Sequence, residues 1–234
     1  PRRALLPAPP FCCHGAMSPR RLLVLLLTVL APFSALRAAP EKWTKAIDAF
    51  TTADQTNPPP REGVVFVGSS SIVRWASLQR DFPGVKAINR GFGGSELADS
   101  VFYADRIVIP YRPRVVVLYA GENDLQNGRT PEAVHADFRA FVAKVHAALP
   151  LTRIVFIAIK PSPSRAKIKD RVVQANALIA ADCARDARLA FADVYTPMLT
   201  ATGEMRPELF VKDMLHLNET GYALWTPIVA QYLK

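Results

Sequence analysis

The stretch VVFVGSSSIVRW, residues 64–75, passes from a run of apolar residues through a glycine into three serines. The apolar run at 64–67 indicates a strand that is buried on both faces, as in a parallel sheet. Serine is common at helix N-termini, so the residues after Gly68 indicate a turn into a helix. The stretch therefore predicts a strand, a turn and a helix in succession, which is the repeating unit of an α/β fold.

The same alternation continues along the chain. Further strands are predicted at residues 85–88, 115–119, 154–159 and 189–194. Helices are predicted near residues 41–53, 72–80, 96–109, 131–149, 167–185 and 220–233. This order predicts a flavodoxin-like three-layer α/β/α sandwich with a five-stranded parallel sheet, whose ligand site lies beyond the carboxyl ends of the strands.

The excess of positive charge belongs mostly to the N-terminal segment. The formal net charge is +9, but five of the 29 Lys and Arg residues, and none of the 20 Asp and Glu residues, lie within the first 38 positions. The rest of the chain carries 24 basic side chains against 20 acidic ones. A basic face that binds nucleic acid is therefore not expected.

The N-terminal segment also has the pattern of a targeting sequence. A pair of arginines at 20–21 precedes the apolar run 22–31 and a group of small residues. This order predicts a signal peptide over residues 17–39 and an exported protein, periplasmic or secreted. The run is shorter than the roughly 20 residues of a spanning helix, so no membrane span is expected after cleavage; an uncleaved anchor is the alternative. Residues 1–16 are predicted to be an upstream extension.

The remaining residues, 40–234, are enough for one domain with a substantial core and too few for two large ones. Cys183 is the only cysteine among them, which excludes an intramolecular disulfide and disfavours a thiolate metal site. This cysteine lies in an alanine-rich helical pattern. It is expected to be a small buried residue.

Two further motifs fall where predicted strands end. NRGFGG, residues 89–94, lacks the last glycine of a dinucleotide-binding fingerprint, because position 96 is a glutamate. It is expected to be a loop with exposed backbone N–H groups. GEND, residues 121–124, brings an amide and carboxylates to the same edge of the sheet. Asn123 can donate two hydrogen bonds from its side chain, whereas the two carboxylates lack a third nearby ligand for a metal ion.

The last motif, KDMLHLNETGY at residues 212–222, places Asp213 three residues before His216. Imidazole suits proton transfer near neutral pH, and a carboxylate can fix its tautomer. Each motif alone is equally consistent with ordinary helix caps and turns. All four lie at one edge of the predicted sheet, and this joint placement favours a shared site.

These motifs resemble the blocks of the SGNH hydrolase family, also called the GDSL-type esterases and lipases, over nearly all of residues 40–234. The family carries Ser, Gly, Asn and His in this order along the chain. By this resemblance the site residues are Ser70, Gly94, Asn123, Asp213 and His216.

The resemblance implies a serine esterase. Ser70 is the implied nucleophile, His216 its base, and Asp213 the carboxylate that orients the imidazole. Gly94 and Asn123 are the implied donors of an oxyanion hole, together with the backbone of the serine. The expected substrate is an acetyl or other short-acyl ester, on a small molecule or a polymer. Such chemistry needs no metal and no organic cofactor.

One departure from the family is visible, because Ser69 stands where an aspartate is usual. This GSSS form is similar to bacterial platelet-activating factor acetylhydrolase-like proteins. Loops that contain Arg90, Phe92, Lys160 and Pro161 are expected to border the pocket. Two alternatives stay open: a catalytically inactive carbohydrate- or lipid-binding module on the same fold, and a flavodoxin-like domain that binds phosphate at the strand edge. The sequence predicts no particular oligomeric state.

Overall fold

The computed structural model of this protein describes residues 41–233. The predicted upstream extension (1–16) and signal peptide (17–39) lie outside the described residues, so both stay predictions. Within residues 41–233, no helix is both long enough and apolar enough to cross a membrane.

The described residues form a parallel five-stranded sheet, as predicted. Its strand order is β2-β1-β3-β4-β5, and every neighbouring pair is parallel. The strands are β1 Val64–Gly68, β2 Ala87–Gly91, β3 Val115–Tyr119, β4 Arg153–Ile157 and β5 Leu189–Ala192. β1 and β3 are buried along their whole length, as central strands of a sandwich must be. The sheet order reverses between β1 and β3, and the carboxyl ends of these two strands flank the crevice where such folds bind ligands.

Helices cover both faces of this sheet. They are α1 Thr44–Thr56, α2 Ser70–Val73, α3 Leu78–Asp81, α4 Leu97–Ile107, α5 Glu122–Gln126, α6 Pro131–Ala148, α7 Lys169–Cys183 and α8 Glu219–Ala230. Apolar residues of α1, α4, α6 and α7 form one core with alternate strand residues such as Val65 and Val116. Those of α2, α3 and α8 form the other core with the intervening residues, such as Phe66 and Val117. The three-layer α/β/α prediction is confirmed.

The second strand lies further along the chain than predicted. Residues 85–88 were expected, whereas β2 runs from Ala87 to Gly91. Its polar residues find partners inside the fold: Asn89 donates to the Ile72 carbonyl at 2.6 Å, and Arg90 donates to Tyr111 Oη at 2.9 Å. The strand therefore continues through these two polar residues to the carboxyl edge of the sheet, because contacts with distant segments satisfy the hydrogen bonds of their side chains.

The predicted helix at 72–80 forms as two short helices, α2 and α3, with a turn between them. Asp81 accepts hydrogen bonds from the Trp75 indole at 2.7 Å and from Ser77 Oγ at 2.6 Å, which stabilises this turn. Trp75 also packs against Tyr222 and Trp225 of α8, with ring centroids 5.1 and 6.0 Å apart. The turn thus places a large aromatic side chain directly beneath α2.

The same aromatic cluster anchors the start of α2 to the C-terminal helix. Tyr222 donates a hydrogen bond from its hydroxyl to the Ser71 carbonyl at 2.9 Å. Trp75 and Trp225 are each almost completely buried, and burying a large aromatic side chain stabilises the fold by about 2–3 kcal/mol. The residues around Ser70 therefore have a rigid base although α2 is only one turn long.

Cys183 ends α7 as a buried residue, which confirms the prediction. Burial, with the carboxylates of Asp182 and Asp186 nearby, raises the pKa of its thiol to about 12. The thiol is therefore protonated and weakly nucleophilic at neutral pH.

Candidate active site

The end of β1 approaches β3 so closely that only glycine fits. Gly68 has φ +140, and a Cβ there would lie 1.8 Å from the Tyr119 carbonyl oxygen. That carbonyl accepts a hydrogen bond from the Ser69 N–H at 3.0 Å. The chain consequently leaves the sheet in a sharp turn, which places Ser70 at the carboxyl edge of the sheet as the first residue of α2.

Ser70, His216 and Asp213, three of the site residues expected from the sequence, lie in contact. His216 Nε2 lies 3.0 Å from Ser70 Oγ, and His216 Nδ1 lies 2.6 Å from Asp213 Oδ2. The contact with the carboxylate favours the tautomer with the proton on Nδ1, which leaves Nε2 free to accept a proton from the serine. The three side chains thus form one continuous hydrogen-bonded chain. Such a chain can activate a hydroxyl for attack on an electrophile.

Asp213 is held in place by its own loop. Its Oδ1 accepts hydrogen bonds from the backbone N–H groups of Leu215 and His216, each at 2.9 Å. Desolvation raises the pKa of Asp213, but the hydrogen bonds from the His216 ring and from these two backbone groups outweigh it, so the net pKa lies well below its usual value. The carboxylate stays ionised over the whole working pH range and faces the imidazole as an anion.

The predicted oxyanion donors, Gly94 and Asn123, belong to two segments that are hydrogen-bonded to each other. A Cβ built on Gly93 would be 3.9 Å from the Cβ of Ser70, so Gly93 approaches the serine side chain. Gly94 has φ +76, a conformation that favours glycine, and both glycines are exposed. Asn123 Nδ2 donates to the Ser95 carbonyl at 2.9 Å, so the amide is joined to this same loop. One N–H of the Asn123 amide is used in that bond, and the second remains for another acceptor.

A second bond links the same two segments below the surface. Asp124 is completely buried, and its Oδ1 accepts from the Leu97 N–H at 2.9 Å. This bond joins the third residue of α5 to the first residue of α4. Burial raises the pKa of Asp124 to about 7, although the Leu97 hydrogen bond opposes the shift.

The raised pKa of Asp124 predicts a pH-dependent stability. The native state holds this proton between about pH 4 and pH 7 while the unfolded state has lost it, so stability contributed by the carboxyl falls as pH rises through this window. Asp124→Asn keeps the acceptor oxygen and has no charge to bury. The difference in free energy of unfolding, variant minus wild type, is expected to be about 3–4 kcal/mol larger at pH 8 than at pH 4. Urea titrations of both proteins at the two pH values measure it.

The control for this prediction is Asp105→Asn, which changes an ion-paired carboxylate that is 65% exposed. Its stability relative to wild type is expected to change little over the same pH range. An Asp124→Asn difference that stays constant from pH 4 to pH 8 would contradict the assignment of the titrating group.

A buried ion pair lies behind Asn123, and the sequence analysis missed it. Glu122 accepts hydrogen bonds from Lys160 Nζ, from Ser162 Oγ, and from Tyr119 Oη at 2.9 Å. Lys160 is 1% exposed and Glu122 is 4% exposed. Burial raises the pKa of Glu122, but the positive charges of Lys160 and Arg165 and these hydrogen bonds outweigh it, so its net pKa is lowered. Glu122 is therefore a buried anion.

The four residues whose loops are expected to border the pocket have buried side chains, and the position of the loops at the pocket stays a prediction. Arg90 pairs with Asp54, and Phe92 packs edge-on against Trp43 with centroids 5.7 Å apart. Lys160 and Pro161 are also buried. These positions follow strands, but their side chains turn into the fold because partners for them exist there.

Arg165 is a second residue of this edge that the sequence analysis did not single out. Its Nη2 donates to Asn123 Oδ1 at 3.0 Å, and its Nη1 lies 3.9 Å from Glu122 Oε1.

Within residues 41–233, His, Cys, Asp and Glu side chains form no group of three or more that could hold a metal ion.

The chain is similar to known proteins in both sequence and fold. The sequence model of the GDSL-like lipase/acylhydrolase family matches residues 54–224. No curated protein matches the sequence. The fold is similar to that of a protein from Streptococcus pneumonia described under the name platelet activating factor, with a TM-score of 0.72 and 18% identity over 83% of this chain and 94% of the other.

Two further solved structures share the fold. A GDSL-like lipase from Bacteroides thetaiotaomicron has a TM-score of 0.67 and 22% identity, over 80% of this chain and 96% of the other. An acetylxylan esterase from Geobacillus stearothermophilus, solved as a catalytic mutant, has a TM-score of 0.58 and 14% identity, over 74% of this chain and 95% of the other.

Proposed function

Because the chain belongs to the GDSL-like lipase/acylhydrolase family and is therefore a carboxylic ester hydrolase, we propose that it works as a serine esterase with Ser70 as its nucleophile. The observation that carries the proposal is the hydrogen-bonded chain from Asp213 through His216 to Ser70 Oγ. A nucleophile, a base and a group that orients the base are thereby in contact without any rearrangement.

In the first step, Ser70 Oγ attacks the ester carbonyl while His216 Nε2 takes its proton. The imidazolium that forms faces the Asp213 carboxylate, which stabilises it. His216 then gives the proton to the departing alcohol, and an acyl group remains on Ser70. Water repeats the sequence in the second step, with His216 as base, and releases the acid.

The negative charge of each tetrahedral intermediate needs donors that are already in place. We assign this role to the backbone N–H groups of Ser70 and Gly94 and to the second N–H of Asn123. The hydrogen bond from Asn123 to Ser95 supports the assignment, because it holds the amide against the glycine loop. A fixed donor of this kind is worth about 10²–10³ in rate.

We propose an acetyl or other short-acyl ester as substrate, carried on a small molecule or a polymer. Gly93, Gly94 and Asp213 are exposed, so the reacting groups lie at the open surface and not at the bottom of a deep tunnel. An ester on a bulky polymer can reach such a site. The acetylxylan esterase from Geobacillus stearothermophilus, which has the same fold, acts on a polymer of this kind and fits the proposal.

We further propose that the protein is exported and acts in the periplasm or outside the cell. The support is the basic pair and apolar run within residues 17–39. The polymer-linked esters of a cell envelope or of extracellular carbohydrate are accessible from that location.

The test is hydrolysis of p-nitrophenyl acetate, butyrate and octanoate, combined with labelling by a fluorophosphonate. We expect turnover to fall with acyl chain length, and one phosphonyl group to attach to the peptide that contains Ser70, as located by mass spectrometry. The protein unfolded in urea before labelling is the control and should not react.

The outcomes separate the alternatives. Turnover with a label on another residue contradicts the nucleophile assignment. A folded protein that neither hydrolyses the esters nor takes up the label supports the catalytically inactive binding module instead, since a module of that kind retains ligand without turnover.

A further inference from the structure

The loop that follows β4 contacts both halves of the proposed site. It has the sequence KPSPSR, residues 160–165. At its end, Arg165 Nη2 donates to Asn123 Oδ1 at 3.0 Å. One residue earlier, the Ser164 N–H donates to the Met214 carbonyl at 3.1 Å, within the loop that carries Asp213 and His216. The loop therefore joins the amide donor to the acid-base residues.

The contact with Arg165 determines which way the Asn123 amide faces. Asn123 donates to the Ser95 carbonyl and accepts from the guanidinium of Arg165. A flipped amide would put its oxygen against the Ser95 carbonyl and its N–H groups against a cation that has only donors. Both contacts would then be repulsive. Arg165 consequently keeps the amide nitrogen on the side of Ser95, which is the orientation that the proposed role of its second N–H requires.

The cation also strengthens the donor. A positive charge at Oδ1 withdraws electron density from the amide of Asn123 and makes its N–H a better hydrogen-bond donor. This effect is largest for charges that water does not screen, and the Arg165 side chain is only 16% exposed. The electrostatic effect acts through Asn123 and not by contact with the substrate.

Arg165 is itself held by the buried ion pair. Its Nη1 lies 3.9 Å from Glu122 Oε1, and Glu122 is fixed in turn by Lys160 and Ser162. Glu122 thus lies between the two cations Lys160 and Arg165, and the guanidinium of Arg165 is the cation that contacts the amide. The Glu122 carboxylate therefore attracts the guanidinium at the same place where it donates to Asn123 Oδ1.

We propose that Arg165 is a positioning residue for the oxyanion hole, which orients and polarises the Asn123 amide from a buried support formed by Glu122 and Lys160. This inference rests on the proposed serine esterase activity and adds a residue that acts on a donor of the reaction.

The first measurement is the steady-state kinetics of Arg165→Ala with p-nitrophenyl acetate. We expect kcat to fall about 10–100-fold while KM changes little, because the lost interaction strengthens only as the oxyanion forms. Arg165→Lys keeps the charge but loses the planar donor group, and is expected to recover part of the loss. Arg185→Ala is the matched control and should behave as wild type, because that side chain lies two residues after the end of α7 and is 77% exposed.

The deciding measurement is a double-mutant cycle with Asn123→Ala. If Arg165 acts through the amide, Arg165→Ala lowers kcat in the wild-type background and has almost no further effect in Asn123→Ala. Equal effects in the two backgrounds would overturn the proposal. A rise in KM alone would also overturn it, since that result assigns Arg165 to substrate binding.

Two controls keep the failures distinguishable. Melting temperatures identify a variant that loses activity by unfolding, and Arg165→Lys then supplies the measurement in a folded protein. A wild-type protein without esterase activity overturns the proposed function and this inference together. An active wild type that Ser70→Ala inactivates, with Arg165→Ala unchanged, overturns this inference alone.

Discussion

Replacing Ser70 with alanine is expected to lower kcat for ester hydrolysis by about 10⁶-fold, with a folded protein and an unchanged melting temperature. The substitution removes the oxygen that lies 3.0 Å from His216 Nε2, and without it the imidazole has no nucleophile to activate. Water bound beside the oxyanion donors then supplies only residual catalysis. The measurement is kcat with p-nitrophenyl acetate, compared with the uncatalysed rate.

The neighbouring serine supplies a matched control. Ser69→Ala removes a hydroxyl from the same turn and leaves the Ser70–His216 hydrogen bond in place, so its kcat should stay of the same order as wild type. The double variant Ser70→Ala/His216→Ala should be no slower than Ser70→Ala, because residues that act as one unit are not additive. Substantial activity in Ser70→Ala would assign the nucleophile elsewhere.

Replacing Lys160 with methionine is expected to lower the free energy of unfolding by about 3–5 kcal/mol. Methionine has a similar length and fills the same space, but it leaves the Glu122 carboxylate buried without the ammonium that neutralises it. An unpaired buried charge costs more than the pair contributes. Urea unfolding followed by tryptophan fluorescence measures the change.

The compensating variant tests the cause. Lys160→Met/Glu122→Gln removes both charges and retains oxygen and nitrogen atoms that can bond with Ser162 and Tyr119. Most of the lost stability should return in this double variant. If the double variant is no more stable than Lys160→Met, then loss of packing, and not the unpaired charge, explains the destabilisation.

The sheet could be predicted because its strands are simple in sequence. β1 and β3 contain only apolar residues before their final glycine or tyrosine, and such runs are hard to place anywhere but between two layers of helices. β2 was displaced in the prediction because Asn89 and Arg90 look like loop residues. Their partners, the Ile72 carbonyl and Tyr111, come from distant segments that the local pattern cannot identify.

The candidate site was predicted for a different reason. Parallel strands bring their carboxyl ends to one edge, so motifs that follow different strands must meet there. This argument brings together the motifs that contain Ser70 and Asn123, whereas the choice of these two residues within the motifs rests on the resemblance to the GDSL-type family. The contact between Asp213 and His216 is compatible with their spacing of three residues. It does not say which side chains turn outward. Phe92 and Lys160 follow strands as Ser70 does, yet both are buried.

The ion pair behind Asn123 was missed because charged residues are expected at the surface. One signal could have revealed it. Glu122 and Lys160 have opposite charges and follow β3 and β4, which are neighbours in the sheet. Once the strand order is known, two such residues at adjacent strand ends predict a pair. The strand order depends on the whole fold, and the residues that follow β3 and β4 do not reveal it.

The hydrogen bond between Ser70 and His216 joins residues 146 positions apart in the sequence. During synthesis Ser70 leaves the ribosome before strands β2 to β5 and before His216, which follows the last strand. Contacts of such long sequence separation form late, because the intervening chain must first be ordered. A nascent chain that has not yet reached His216 is consequently expected to lack esterase activity, because the proposed base is missing and the segment that joins it to Ser70 is not yet folded.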